Sequence, residues 1–117
     1  MKSHKDLTVW QKSMELVVEI YKISRNYPKD EVFGLVSQMR RAAISIPSNI
    51  AEGFGRSYDK ETLRFLSTAL GSASELETQI LISIDLGYID LDESVKIKNQ
   101  IEEVIRMLSA LIKSLSK

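Results

Sequence analysis

The chain has 117 residues, with 16 Lys and Arg against 16 Asp and Glu, and no Cys. This length favours a single domain, and the balanced charge counts against a strongly electrostatic nucleic-acid binder, which usually carries a basic surplus. The absence of Cys excludes disulfides and thiolate metal sites. No apolar run resembles a signal peptide or is long enough to span a bilayer. We therefore expect a cytoplasmic protein that makes no membrane contact.

The charges are divided unevenly between the two halves of the chain. Residues 1–57 hold 9 basic and 6 acidic side chains, whereas residues 58–117 hold 7 basic and 10 acidic ones. Two interpretations stay open. The imbalance is either ordinary scatter or a sign of complementary surfaces that help copies of the chain associate.

Apolar residues recur at helical spacing in four segments that short connections separate. This predicts helices at about residues 7–26, 31–53, 58–86 and 91–116. The residues that can cap their N-termini are Asp6, Asp30, Ser57 or Asp59, and Asp90, the last with Glu93 in a capping-box position. Matched helices with short loops predict one all-α domain over residues 1–117, an antiparallel up-down-up-down four-helix bundle.

Two apolar stripes run along the first helix, and a wide apolar face of this kind is typical of a core helix. One stripe contains Trp10 and Met14, and the other contains Leu16 and Ile20. We expect both to be packed in the core. In the second helix we expect Phe33 to begin the inner face.

The third helix contains a run of small residues at positions 71–74. Gly71 and Ala73 would let another helix approach closely. Such an approach would offset the cost of about 1 kcal/mol that a glycine imposes in a helix interior. We expect Gly87 to end this helix, and Gly53 and Gly55 to end the one before it.

Polar side chains lie in a part of the second helix that its apolar residues mark as buried. Arg41, Ser45, Ser48 and Glu52 recur at spacings of 4, 3 and 4 and therefore share one face. Pro47 lies among them and should kink the helix, because it lacks a backbone donor and clashes with the preceding turn. Buried polar groups are costly unless they have partners.

We expect the third helix to supply those partners. Arg41 facing Glu75 is the preferred pair, because arginine can bind a carboxylate through two hydrogen bonds. Asn49 and Ser45 can bond backbone carbonyls, including those that Pro47 leaves free. The cluster could fix helix register, form a contact with a subunit or partner, or serve catalysis. If the first holds, Arg41→Ala should cost a few kcal/mol by stranding a carboxylate.

The patterns of known catalytic and cofactor sites are missing from the sequence. The single histidine, His4, lies in a terminus that we expect to fray, so no Ser-His-Asp triad can form. A Glu-x-x-His motif is absent, and the glycines at 53 and 55 lack the third glycine of a dinucleotide loop. Residues 48–66 imitate a helix-turn-helix, but the second helix is too long and mixed in charge. We expect no enzyme activity, cofactor, metal or small-molecule substrate.

Four ordered segments carry a resemblance to a known family. They are LTVWQKSMEL at 7–16, FGLVSQMRRAAISIPSNIAEG at 33–53, GSASELETQI at 71–80 and LGY at 86–88. The chain resembles the four-helix bundle proteins called 23S rRNA intervening-sequence proteins, a family that also includes the accessory variability protein of diversity-generating retroelements. The resemblance implies a ring-like homopentamer. For the retroelement members it also implies a basic surface that binds nucleic acid and a partner reverse transcriptase.

Two functional hypotheses follow from the residues and the resemblance together. The first is a non-enzymatic homo-oligomeric scaffold or adaptor, pentameric and acting through protein contacts. The alternative is an accessory protein that binds RNA or DNA. The basic residues that could contact nucleic acid are Lys12, Lys22, Arg25, Arg40, Arg56 and Lys113. The same side chains could equally be ordinary solvated charges.

Overall fold

The computed structural model describes residues 3–55 and 60–116. Within these ranges the chain is all-α, and no strand occurs. The four long helices are α1 (Thr8–Ser24), α2 (Leu35–Phe54), α3 (Lys60–Asp85) and α4 (Leu91–Leu115). Two short 3-10 turns, at His4–Asp6 and Lys29–Glu31, precede α1 and α2. Nowhere in the described ranges is a helix long and apolar enough to cross a membrane.

Each helix packs against two others, in the cyclic order α1, α2, α3, α4 and back to α1. Three side-chain contacts join the end of one helix to the start of its neighbour: Arg40 to Ser24 at 2.9 Å, Thr62 to Gly53 at 3.0 Å, and Lys96 to Glu19 at 3.4 Å. This pairing is compatible with a bundle, and the antiparallel order of its helices stays a prediction. The core between them is aliphatic, and its largest fully buried side chains include Leu16, Ile20, Ile46, Ile50, Leu66, Leu76, Ile80, Ile101 and Leu108.

The two apolar stripes of α1 do not share the core equally. Leu16 and Ile20 are fully buried, whereas Trp10 is half-buried and Met14 is exposed. The prediction that both stripes are packed in the core is therefore wrong for Met14, whereas half-buried Trp10 does pack against the core. A helix at one corner of a bundle has two neighbours, and the stripe at its rim stays in contact with solvent.

The start of α2 also differs from the prediction. Asp30 lies in the 3-10 turn, and the helix begins four residues later than expected, after Gly34. The first turn gains a partner from Glu31, whose carboxylate accepts a hydrogen bond from the Leu35 amide at 3.3 Å. Phe33 consequently precedes the helix and is 98% exposed, not part of an inner face.

The N-terminal turn is ordered by two local contacts, so the expectation that His4 frays is wrong. Ser3 and Asp6 form a capping box around the first 3-10 turn, and the His4 ring meets the Trp10 ring edge-on at 5.2 Å. Leu7, not Asp6, occupies the N-cap position of α1.

Local signals at the α3–α4 connection are confirmed. The Asp90 carboxylate accepts a hydrogen bond from the Glu93 amide at 2.8 Å and caps α4. Gly87 has a φ of 78°, a backbone conformation that only glycine adopts at little cost. The Tyr88 amide donates to the Ser83 carbonyl at 2.9 Å, which is the hydrogen bond expected after a helix that ends at such a glycine. The candidate caps Ser57 and Asp59 lie outside the described residues.

Candidate functional site

In the polar cluster of α2, Ser45 finds a partner on α3, whereas Asn49 bonds a backbone carbonyl within α2, as predicted. The Ser45 and Ser72 hydroxyls are 2.8 Å apart across the two helices. The Asn49 amide donates to the Ser45 carbonyl at 2.8 Å and to its hydroxyl at 2.9 Å. This small network joins α2 to α3 at mid-length, where it fixes their register.

The predicted Arg41–Glu75 ion pair is wrong. Both side chains are exposed, and within residues 3–55 and 60–116 no ion pair joins them. Glu75 instead accepts a hydrogen bond from the Gln79 amide at 3.1 Å. Arg41 and Glu75 border the same open pocket between α2 and α3, but they remain exposed there and do not pair. No stranded carboxylate would follow its removal.

The remaining members of the predicted network face different surroundings. Pro47 is buried inside α2, and Ser48 and Glu52 are exposed. A kink at Pro47 stays a prediction. Ser48 borders an apolar groove on the α1 side, away from Ser72, so it does not belong to the Ser45–Ser72 network.

Close approach of α2 and α3 occurs at Gly53 and not at Gly71. A Cβ at position 53 would lie 3.1 Å from the Phe65 Cβ and 3.3 Å from the Thr62 carbonyl oxygen. The Thr62 hydroxyl donates to the Gly53 carbonyl at 3.0 Å. Gly71 is exposed, and a Cβ added there would have no neighbouring heavy atom within 4 Å. The close helix approach predicted at Gly71 is therefore wrong. Ala73 is fully buried.

The outer side of α1 and α2 carries two adjacent pockets that share Ile44, and together we call them the α1–α2 groove. Its half near the connection between these helices contains aromatic and basic side chains, including Tyr21, Phe33, Arg40 and Arg41. Its other half is more apolar and is lined mainly by Trp10, Met14, Val17, Pro47 and Ala51. Ile44 borders both halves and joins them.

Arg40 is built into the wall of this groove. Its guanidinium donates to the Ser24 hydroxyl at 2.9 Å and to the Tyr21 carbonyl at 3.3 Å, and lies 4.4 Å from the centre of the Tyr21 ring. These contacts use two donors and one face of the guanidinium. Arg40 is therefore in part a structural residue that holds α1 to α2.

The candidate nucleic-acid contacts do not gather on one surface. Arg25 and Arg40 line the α1–α2 groove, but Lys12, Lys22 and Lys113 do not. Arg56 lies outside the described residues. The groove instead adds Lys29 and Arg41, which sequence reasoning did not assign to such a surface.

Sequence reasoning also missed the link between the two connections at one end of the bundle. The Tyr88 hydroxyl donates to the Glu31 carboxylate at 2.8 Å, and the Tyr27 and Tyr88 rings lie 5.1 Å apart. The hydrogen bond to Glu31 raises the pKa of Tyr88, and burial raises the pKa of Tyr27. In the sequence, the only signal of this link is that Tyr27 and Tyr88 each lie close to the end of a predicted helix.

Nothing in this arrangement resembles a reaction centre. In the parts of the chain that the structure describes, no three His, Asp or Glu side chains are grouped to hold a metal ion. The groove is open along its length and presents cations, aromatic rings and aliphatic side chains. Such a surface is suited to binding a macromolecule.

Comparison with known proteins places the chain in a family. A family described as 23S rRNA-intervening sequence protein matches residues 5–110. The fold is similar to the crystal structure of a protein of unknown function from the S23 ribosomal protein family of Bacteroides thetaiotaomicron, with 27% identity and a TM-score of 0.82 over 90% of this chain and 95% of that one. A search of curated proteins finds no match. The match over residues 5–110 shows that the chain belongs to the 23S rRNA-intervening sequence protein family.

Proposed function

We propose that the chain is a non-enzymatic scaffold that works as a homo-oligomer, through protein contacts made by the α1–α2 groove. The observation that carries this proposal is the exposure of Phe33, a large aromatic side chain that is 98% accessible at the edge of the groove. Val32 and Ile44 are exposed in the same groove. Exposed apolar side chains grouped around an aromatic anchor are typical of a protein interface.

A ring of five copies is the stoichiometry that the family resemblance implies, and we adopt it as part of the proposal. Heterologous contacts, in which one surface of a copy meets a different surface of the next, form rings when the rotation closes. The polar clusters of the described residues fix helix register and hold α1 to α2, and none supplies a nucleophile beside a base. A scaffold uses such a bundle for its rigid outer surface.

The test is the molar mass in solution of the wild type and of Phe33→Asp, measured by light scattering after size exclusion. We expect a wild-type oligomer and a large loss of assembly in the variant, because a carboxylate would replace the apolar anchor. Leu115→Asp is the matched control, since Leu115 is also an exposed apolar residue but lies at the end of α4. A wild type with the mass of one chain would refute the proposal.

One observation supports nucleic-acid binding as a second candidate function. The α1–α2 groove places Arg25 and Lys29 beside Tyr21 and Phe33, and a basic groove with aromatic rings can hold a single strand by phosphate contacts and base stacking. Fluorescence anisotropy with a labelled single-stranded RNA at 50 and 200 mM salt tests this. Affinity should fall steeply with salt and with Arg25→Ala, but not with Lys113→Ala. Absence of binding at the lower salt would remove this candidate.

A further inference from the structure

The α1–α2 groove is lined by several cations, of which Arg41 also borders a pocket with Glu75 on the α3 side. Arg25, Lys29 and Arg41 are exposed, and none forms an ion pair with a residue in the described ranges. No Asp or Glu is among the side chains that line the groove. Phe33 lines the same part of the groove as these three cations. A complementary binding partner would therefore combine apolar and acidic side chains.

A surface with those properties exists elsewhere on the same molecule. At the α3–α4 connection, Leu86, Leu91 and Val95 are exposed, Leu91 to 78%. The acidic side chains around them are Asp85, Asp90, Asp92 and Glu93. We call this surface, residues 85–95, the acidic corner. No Lys or Arg occurs between residues 65 and 95, and Asp85, Asp92 and Glu93 have no ion pair with a described residue.

Within one chain the two surfaces touch at the Tyr27–Tyr88 ring contact, but their outer sides lie on different faces of the bundle. The Tyr88–Glu31 hydrogen bond shows that both lie at the same end of the bundle. The cyclic packing order places the outer side of α1 and α2 opposite that of α3 and α4. A second copy can make the contact that the first cannot, and surfaces at the same height can meet around a ring.

We propose that the α1–α2 groove of one copy receives the acidic corner of the next copy. Leu91 and Leu86 would pack against Phe33, while Asp85 and Asp92 would face Arg25 and Arg41. The contact is heterologous, so repeating it generates a ring if the rotation closes. This inference rests on the proposed homo-oligomer and names the two surfaces that form its interface.

Charge reversal tests the pairing directly. The groove variant is Arg25→Glu with Arg41→Glu, and the corner variant is Asp85→Lys with Asp92→Lys. We expect each to weaken self-association by about tenfold or more, because like charges would face each other. The four-substitution chain should regain the wild-type molar mass, since its charges are again complementary. Light scattering and sedimentation velocity measure all three.

Two further variants keep the result interpretable. Arg106→Glu with Glu102→Lys reverses exposed charges on α4 away from both surfaces and should leave the mass unchanged. Leu91→Ala removes apolar contact without changing charge, and should weaken association as well. Circular dichroism checks that every variant stays helical.

The outcomes separate this inference from the proposed function. A wild-type chain that stays single removes both. An oligomer whose mass is unaffected by either reversal, or is not restored by the four substitutions, overturns the pairing but leaves the homo-oligomer. Unaffected mass together with RNA binding that only the groove variant loses would assign the groove to nucleic acid instead.

Discussion

The two sides of α2 are built for different purposes. Toward α3, the helix is closed against its neighbour: Gly53 leaves no room for a side chain, and Ser45 bonds Ser72 across the contact. Toward solvent, beside α1, it presents Ile44 and Arg41 in an open groove that Phe33 borders. The first side shows what a finished contact in this bundle looks like. The second has the apolar and charged side chains of a contact but no partner within residues 3–55 and 60–116.

The largest effect on stability should come from filling the closed side at Gly53. Gly53→Leu would force a side chain against Phe65 and the Thr62 backbone, and overpacking of this kind costs about 1–3 kcal/mol. Gly71→Leu is the control, because that position opens to free space. Urea denaturation gives both unfolding free energies. Equal effects at the two glycines would show that α2 and α3 are not in close contact at position 53.

The hydroxyl pair should have a smaller effect. Ser45→Ala removes the hydrogen bond to Ser72 and one acceptor for Asn49, and we expect a loss of about 1 kcal/mol. A double-mutant cycle with Ser72→Ala should show non-additivity, because each single change already breaks the shared bond. Purely additive losses in the unfolding free energies would argue against that bond.

On the open side, removal of a groove cation should scarcely change the stability of the fold. Arg41→Ala should alter the unfolding free energy by no more than about 0.5 kcal/mol, since the side chain is exposed and has no ion pair with a described residue. The measurement uses the Phe33→Asp background, so that subunit dissociation does not contribute. A loss of several kcal/mol would restore the buried role that sequence reasoning gave to Arg41.

The smallest effect is a pH dependence at the end of the bundle where the groove begins. The pKa values of Tyr27 and Tyr88 are raised in the folded chain, the first by burial and the second by its hydrogen bond to Glu31. Their contribution to stability is therefore complete below the unfolded pKa of about 10 and is lost as pH rises through the folded values.

Urea midpoints between pH 8 and 11 should consequently fall at the alkaline end. Tyr88→Phe should make that fall shallower, because one of the two perturbed phenols is gone. Identical alkaline slopes in the wild type and the variant would contradict the assignment of part of the effect to Tyr88.

Much of the fold could be predicted because its signals are local or periodic. Helical spacing of apolar residues identifies four helices. Asp90 starts one helix and Gly87 ends another through contacts with backbone groups only a few residues away. The start of α2 could not be predicted in this way. Asp30 is an acceptable cap, but the chain uses it in a 3-10 turn, and Glu31 caps the helix from outside.

The site was harder to predict because it depends on how each helix is rotated about its axis. Gly71 and Gly53 are both small residues in helical segments, but only Gly53 faces a neighbouring helix. Arg41 directly precedes buried Ala42 in the helix, but consecutive helical residues point in different directions, and the Arg41 side chain is exposed. Apolar patterns fix that rotation only roughly, so the groove appears only once all the helices are in position.

The central claim is that the open side of α2 is closed by another copy of the chain. The most direct measurement is the molar mass of the wild type by light scattering at micromolar concentration and moderate salt. We expect a uniform particle of several chains, with five as the proposed number, each of 13.3 kDa. A uniform particle of 13.3 kDa at every concentration would contradict it.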